Sequence, residues 1–341
     1  MQKIDIVCPV YREEKVVQLF HERLATAIAP LAKRFEVRIV YIVDPSPDRT
    51  EELLSSISAT DPAVEVLVMS RRFGHQAALI AGIELSDADA LVMLDSDLQH
   101  PPELIPELVS HWENGADVVQ AVRQDASEIP PLKRCTSRYF YKVLGLASGV
   151  QLPIGASDYR LLTRRVCDII GTQLTEQNPF LRGLVSWVGF NTVLVPYRPL
   201  ARGGGQSNYS VLALVNFAVN GIFSFSKLPL RACTVLGFSM AALGFLCGFV
   251  EVVIYLSGTA EVPGWASIFT AVTFMGGMQL FFLGVIGEYM SQIFDEVKSR
   301  PRYIIDRQYK SGRAVHFSRS CRSGSQGNHR SRTSDEIGKV I

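Results

Sequence analysis

Apolar residues fall through the first half of the chain in short runs, each closed by polar residues. Ile4–Pro9, Glu36–Val43, Val64–Ser70, Ala90–Leu94 and Asp117–Val122 read as buried strands. Between them the spacing becomes helical: an amphipathic stretch follows Tyr11-Arg12-Glu13-Glu14 as far as Ala29. Another opens at Asp48-Arg49-Thr50-Glu51 with Asp48 or Thr50 as cap, and others cover Ala77–Leu85 and Glu103–Trp112. Phe180 to Val195 reads as a helix and then a strand. Strands alternating with helices predict an α/β fold with a doubly wound, mostly parallel sheet.

The pattern changes further on. Ala232–Leu256 and Ala266–Met290 are strongly apolar runs of 25 residues each, and about 20 suffice to cross a bilayer. Ser257–Trp265 between them has no Lys or Arg, whereas residues 291–310 carry Lys298, Arg300, Arg302, Arg307 and Lys310. Basic residues stay on the cytosolic side, so a two-helix, multi-pass hairpin with both termini cytosolic is expected. Glu251 and Glu288 lie within the runs; a solvated position near the far interface accounts for Glu251. Ser210–Ser226 alternates apolar and small polar residues at helical spacing. It reads as an interfacial helix with Lys227 and Arg231 near headgroups, a buried soluble helix being the alternative. The expected organisation is a catalytic unit over 1–209, an interfacial helix over 210–231 and transmembrane helices over 232–256 and 266–290. A basic segment over 291–310 and a disordered Ser/Gly/Arg-rich tail over 311–341 complete it.

Composition adds little to this division. The 341 residues carry a net charge of +1, so no global field argues for nucleic acid. The cysteines at 8, 135, 167, 233, 247 and 321 are scattered and read as small buried hydrophobes. Met1 to Asp5 runs straight into a strand pattern, so no secretory leader is expected.

The candidate chemistry collects at the strand ends: Tyr11 and Glu13, Asp44, Arg71, Asp95 and Asp97, and Arg123. In a parallel sheet these share one edge, where open α/β sheets bind ligands. Neither a Walker A loop nor G-x-G-x-x-G is present, which argues against a P-loop enzyme and a standard dinucleotide site. Asp95-Ser96-Asp97-Leu98-Gln99 closes the central strand. Two carboxylates one residue apart can point the same way and hold one hard divalent cation, leaving its other positions to phosphate oxygens and water. The bland alternative is a solvated loop. Gly155-Ala156-Ser157-Asp158-Tyr159-Arg160 reads as a small-residue turn with one acid and one base. Arg202-Gly203-Gly204-Gly205-Gln206-Ser207-Asn208-Tyr209 reads as a flexible loop suited to a lid.

Taken together, these pieces resemble the family 2 glycosyltransferases of the polyprenyl-phosphate type, such as bactoprenol glucosyltransferases and dolichyl-phosphate-mannose synthase. The resemblance runs from Ile4 to about Tyr309. It rests on Cys8–Glu14 (CPVYREE), Ser70–Leu79 (SRRFGHQAAL), Asp95–Glu103 (DSDLQHPPE), Ser157–Leu161 (SDYRL), Arg202–Tyr209, Phe225–Arg231, Gly287–Tyr289 and Asp295–Tyr303. It implies a GT-A fold and inverting transfer of one sugar from a nucleotide sugar, UDP-glucose first among donors, to polyprenyl (undecaprenyl) phosphate. By resemblance, Pro9, Tyr11, Glu13, Asp44, Asp95, Ser96 and Arg123 bind the nucleotide sugar, and Asp95, Asp97 and Gln99 surround Mg2+ or Mn2+. Arg160, Arg202 and Ser207 meet the acceptor phosphate, and Asp158, Asp97 and Arg202 are catalytic. Asp158 matches the family's candidate base, with positioning as the other role open to it. The acceptor phosphate, already largely ionised near neutrality, needs little help from a base, and a carboxylate beside it requires a cation nearby, Arg160 or Arg202. The resemblance also implies a homo-oligomer, a tetramer.

Two departures stand out. The family's Asp-Asp-Gly-Ser reads Val43-Asp44-Pro45-Ser46 here, which alters the nucleotide base pocket, and Asn208 replaces the usual Lys of the glycine loop. The alternatives are a donor carrying modified arabinose, N-acetylhexosamine or mannose, a processive polysaccharide synthase, or a non-enzymatic membrane scaffold. Trp112, Trp187 and Trp265 form no Q-x-x-R-W motif, which counts against the synthase.

Overall fold

The computed structural model describes residues 1–124, 153, 155–177, 179–199, 228–257 and 264–316. Residues 125–141, whose polar, basic sequence with Pro130-Pro131 reads as a loop leading into a helix, lie outside these residues, as do Arg202, Ser207, nearly all of the 210–231 helix and the tail beyond 316.

The strands are β1 (Lys3–Val10), β2 (Glu36–Val43), β3 (Val64–Met69), β4 (Ala90–Met93), β5 (Val118–Arg123), β6 (Ala156–Thr163), β7 (Thr192–Tyr197), β8 (Ile305–Lys310) and β9 (Arg313–His316). They form one sheet in the order β7-β5-β6-β4-β1-β2-β3-β8-β9. Its centre, β4-β1-β2-β3, is parallel, as the strand–helix alternation requires. Antiparallel strands flank it: β6 sits between β4 and β5, and β8 and β9 extend the β3 side.

Both faces of the sheet are covered. Along β1 and β2, Ile4, Ile6, Cys8, Ile39 and Tyr41 pack on one side with α1 (Val17–Ile28), α2 (Thr50–Thr60) and α4 (Ile105–Glu113). Val7, Val40 and Ile42 pack on the other with α3 (His75–Leu85), α5 (Arg164–Thr172) and α6 (Leu181–Trp187). A strand alternates its side chains, so two apolar faces produce the continuous apolar runs seen in the sequence. Arg49, rather than Asp48 or Thr50, occupies the cap position of α2, and Asp48 accepts the Thr50 hydroxyl at 2.8 Å.

α3 lies so close on β1 that a Cβ at Gly82 would collide with Val7 Cγ1. Val7 is fully buried and β-branched, so it has little room to turn away. Gly82→Ala is therefore expected to cost about 1–3 kcal/mol through overpacking, read as a lower thermal midpoint; an unchanged midpoint would show that β1 yields freely.

The apolar runs form α7 (Leu228–Leu256) and α8 (Trp265–Lys298). Each is long and apolar enough to cross a membrane, and among the described side chains of Pro229–Val250 and Thr270–Lys298 none is buried. Phe238 and Phe245, each 79% exposed, show how much apolar surface is left without protein cover.

The basic segment expected over 291–310 needs correction, as does the tail assigned to 311–341. α8 continues to Lys298, β8 pairs with β3, and 311–316 are a turn and strand β9. Ion pairs and hydrogen bonds seat this return. Arg302 pairs with Glu84 on α3, Tyr303 donates to Glu84 at 2.9 Å, and Tyr309 donates to Glu51 at 2.9 Å. A strand reading Ile-Asp-Arg-Gln-Tyr-Lys carries too little apolar alternation to be seen in advance.

Candidate active site

The site is built at the carboxyl ends of β1 and β4, where the chain order of the parallel strands reverses. Beyond β4 the burial alternates. Ser96, Leu98 and His100 are buried, whereas Asp95, Asp97 and Gln99 are half-buried, so the two carboxylates and the amide fall on the open side. Several bonds fix the loop. Ser96 Oγ donates to the Pro9 carbonyl at 3.1 Å, Asp95 N–H donates to His100 Nδ1 at 3.0 Å, and Gln99 N–H donates to Asp97 Oδ1 at 3.0 Å. His100 stacks on Tyr159 at 5.2 Å. Leu98 has φ +67°, a strained backbone in an L residue that only a tightly held loop sustains.

Asp158 lies on β6, a full strand rather than the turn expected there. The β4–β6 register pairs Met93 with Arg160, and two residues further it sets Asp95 opposite Asp158. His75, first residue of α3, stands between them, with Nε2 3.5 Å from Asp95 Oδ1 and 3.5 Å from Asp158 Oδ2. Asp158 also receives a two-pronged contact from Arg182 on α6, Nε at 2.9 Å and Nη2 at 2.7 Å, and Arg160 Nη2 at 3.2 Å. Burial alone raises a carboxyl pKa; His75, Arg182 and Arg160 outweigh it and hold Asp158 well below the usual range. Burial likewise pushes Arg160 down to about 10 against the pull of Asp158. His75 is depressed by burial but raised overall by Asp158 and Asp95.

Asp44 is buried and accepts the N–H groups of Phe73 and Gly74 at 3.0 and 2.9 Å, so it fixes the turn that launches α3 and His75. Gly74, at φ +96°, supplies a conformation that side chains resist. Tyr11 lies within 4.2 Å of the Arg72 guanidinium and 5.3 Å of that of Arg12. Glu13 N–H donates to Thr50 Oγ1 at 3.0 Å. Arg123 ends β5, exposed, and its N–H donates to the Gly155 carbonyl at 3.0 Å. The structure therefore brings Asp95, Asp158 and Arg160 together and adds His75 and Arg182, to which the sequence assigned no role.

Among the described residues Asp95 Oδ1 is a buried oxygen with no hydrogen-bond partner, His75 Nε2 standing 3.5 Å away, an arrangement that folded proteins rarely leave uncompensated. A hard cation fits such an oxygen. Among the described residues no three His, Cys, Asp or Glu side chains form a complete cage, so Asp95 and Asp97 would hold the ion and leave its other positions open to phosphate and water.

Residues 5–171 match the family described as glycosyl transferase family 2, and 228–293 match the GtrB C-terminal hairpin. The chain is 39% identical over 308 residues to the SfII prophage-derived bactoprenol glucosyl transferase of Shigella flexneri, covering 90% of this chain and 99% of that one. It is 38% identical over 304 residues to an uncharacterized glycosyltransferase, YkcC, of Bacillus subtilis, covering 89% and 93%. A mannosyltransferase of Pyrobaculum calidifontis, solved with GDP-Man and Mn2+, superimposes with a TM-score of 0.44 at 14% identity, covering 87% of this chain and 86% of that one.

Proposed function

The chain belongs to glycosyl transferase family 2, and from that premise we propose that it transfers one glucose from UDP-glucose to polyprenyl phosphate, undecaprenyl phosphate in a bacterium, with inversion at the anomeric carbon. The single observation that carries this reading is the meeting of Asp95 with Asp158, His75 and Arg182 at one sheet edge, in a chain that continues into an apolar hairpin. A soluble donor and a lipid acceptor require both parts. The relative of Shigella flexneri, matched over nearly its whole length, is named a bactoprenol glucosyl transferase.

In the reaction an acceptor phosphate oxygen forms the new bond to the sugar's anomeric carbon while the bond to the nucleoside diphosphate breaks. Asp95 and Asp97, beside Gln99, would hold Mg2+ or Mn2+, which when bound would supply charge neutralisation for the departing diphosphate. The chain orients the participants. Ser96 and Pro9 fix the loop under the donor, and Asp44 fixes the turn carrying His75. Tyr11, Glu13 and Arg123 border the donor side, and Arg202 and Ser207, with Arg160, belong to the acceptor's phosphate. Cations fixed in advance where charge develops lower the barrier most.

The hairpin carries the catalytic domain on the cytosolic face of the inner membrane with both termini cytosolic. Strand β8, after the second span, pairs with β3 of the domain that precedes the first span. An even number of crossings satisfies that return. The small residues of the spans, Gly237, Gly244 and Gly248 with Gly276 and Gly277, suit close helix packing in a homo-oligomer, the tetramer of the resemblance.

The test is transfer from radiolabelled UDP-glucose, UDP-N-acetylglucosamine, UDP-arabinose derivatives and GDP-mannose into undecaprenyl phosphate, using detergent-purified protein with Mn2+ or Mg2+. Label is expected in the lipid phase from UDP-glucose and not in the presence of EDTA. Folded protein that labels lipid from none of them would overturn the reading.

A further inference from the structure

Among the three side chains that meet between β4 and β6, His75 is the most open. Asp158 is 4% exposed and Asp95 33%, whereas His75 is 42% exposed. Its backbone has little freedom to adjust. Asp44 holds the N–H groups of Phe73 and Gly74 just ahead of it, and Gln76 Oε1 just behind it accepts the Leu181 N–H at 3.4 Å. Nε2 faces Asp95 and Asp158, and these carboxylates are the ring's only polar partners among the described residues. The rest of a half-exposed imidazole is left for a ligand. Strand order decides which part of the donor lies there. A diphosphate held through a cation at Asp95 and Asp97, beyond β4, has its nucleoside on one side and its sugar on the other. Towards β1 and β2 stands Tyr11, an aromatic ring with the Arg72 guanidinium at 4.2 Å. Such planes suit a nucleobase, whose π-face stacks on them. Towards β6 stand His75 and Asp158, groups that exchange hydrogen bonds. A sugar has hydroxyls and no π-face, and a neutral imidazole both donates and accepts hydrogen bonds.

We propose that His75 contacts a hydroxyl of the sugar being transferred and is a specificity-determining residue of the donor site. This inference rests on the transfer reaction proposed above and names the residue that reads its sugar. Asp95 and Asp158 hold the ring in place from one side. A polar group fixed in this way discriminates because it is left unpaired when the matching hydroxyl is missing or inverted. The contact lies on the sugar alone, so it leaves the binding of the bare nucleotide to the other end of the crevice.

The experiment compares wild type, His75→Ala and His75→Gln as full-length, detergent-solubilised proteins. Glutamine keeps an amide N–H near the reach of Nε2 for the two carboxylates but has no ring. Affinities for UDP and for UDP-glucose are measured with Mn2+ and without lipid. Transfer to undecaprenyl phosphate then gives kcat/KM for UDP-glucose, UDP-galactose and UDP-N-acetylglucosamine, and a thermal midpoint identifies any variant that fails to fold. His75→Ala is expected to keep UDP affinity within about threefold and to lower UDP-glucose affinity by about tenfold or more. Its preference for glucose over at least one of the other sugars is expected to narrow by about fivefold. His75→Gln is expected to match wild type in thermal midpoint and UDP affinity and to remain weak towards UDP-glucose. The proposal is overturned if UDP and UDP-glucose affinities fall together, the pattern of a residue that acts only through the cation site. It is equally overturned if His75→Gln restores UDP-glucose affinity in full, the pattern of a spacer between carboxylates, or if His75→Ala leaves that affinity unchanged. Wild type that binds UDP-glucose yet labels no lipid would count against the reaction itself, while the ratio of the two affinities still reads His75.

Discussion

Alanine at Asp97 is expected to lower glucose transfer by at least about a thousandfold, equivalent to about 4 kcal/mol of lost transition-state stabilisation. Stability should fall by about 1 kcal/mol, the scale of a hydrogen bond such as the 3.0 Å contact that its carboxylate accepts from Gln99 N–H. Asp97→Asn separates these two consequences. An amide oxygen still accepts from Gln99 but carries no charge for a divalent ion, so the Asn variant should recover the stability and not the activity. Calorimetry with UDP and Mn2+ supplies the second readout: wild type binds UDP more tightly with Mn2+ than with EDTA, and both variants lose that difference. An Asp97→Asn enzyme with wild-type turnover and an intact Mn2+ effect would remove Asp97 from the metal set and leave Asp95 to hold the ion with the diphosphate alone.

How much of this site could be read in advance differs from residue to residue. Asp95 and Asp97 were visible because a buried parallel strand ends abruptly at them, and their shared orientation survives as the alternation of half-buried and buried residues from 95 to 100. The parallel centre of the sheet was equally legible, since each of its strands is apolar on both faces. Asp158 was picked out, but as part of a turn: strand β6 inserts antiparallel between β4 and β5, and a pairing made between distant segments leaves no local periodicity. Arg182 and His75 were missed as site residues for the same reason. They reach Asp158 from 24 and 83 positions away in the chain. The one local signal for Arg182 was a lone charge in the apolar run Phe180–Val188. Asp44 shows the opposite case: its position at a strand end pointed to a ligand, and the structure gives both of its oxygens backbone partners in the turn before α3.

At the opposite edge of the sheet, Arg38→Met is expected to cost about 3 kcal/mol of stability while leaving transfer within about twofold at a temperature where the protein stays folded. Arg38 bonds Asp5 at 2.8 Å and 2.5 Å, Glu65 at 3.1 Å and Asp87 at 3.1 Å, and Ser86 Oγ donates to Asp5 at 2.5 Å. Its bonds to Asp5 raise the Arg38 pKa in spite of burial, with Glu65 and Asp87 adding to the effect. Methionine keeps much of the side chain's packing and removes the charge, so Asp5 and Glu65, 2% and 7% exposed, are left facing one another without their cation. An abandoned buried charge costs about 3–5 kcal/mol. The lower end applies because the Arg38 side chain is itself 30% exposed, and Glu65 keeps Gln308 Nε2 at 2.7 Å. Against a total of about 5–15 kcal/mol for a domain, that is a large fraction. Adding Asp5→Leu to Arg38→Met should recover part of the loss, since an apolar pair replaces a stranded charge. Thermal midpoints compared at one scan rate in one detergent measure this, and an Arg38→Met protein that melts with wild type would mean that water reaches the cluster freely enough to solvate Asp5.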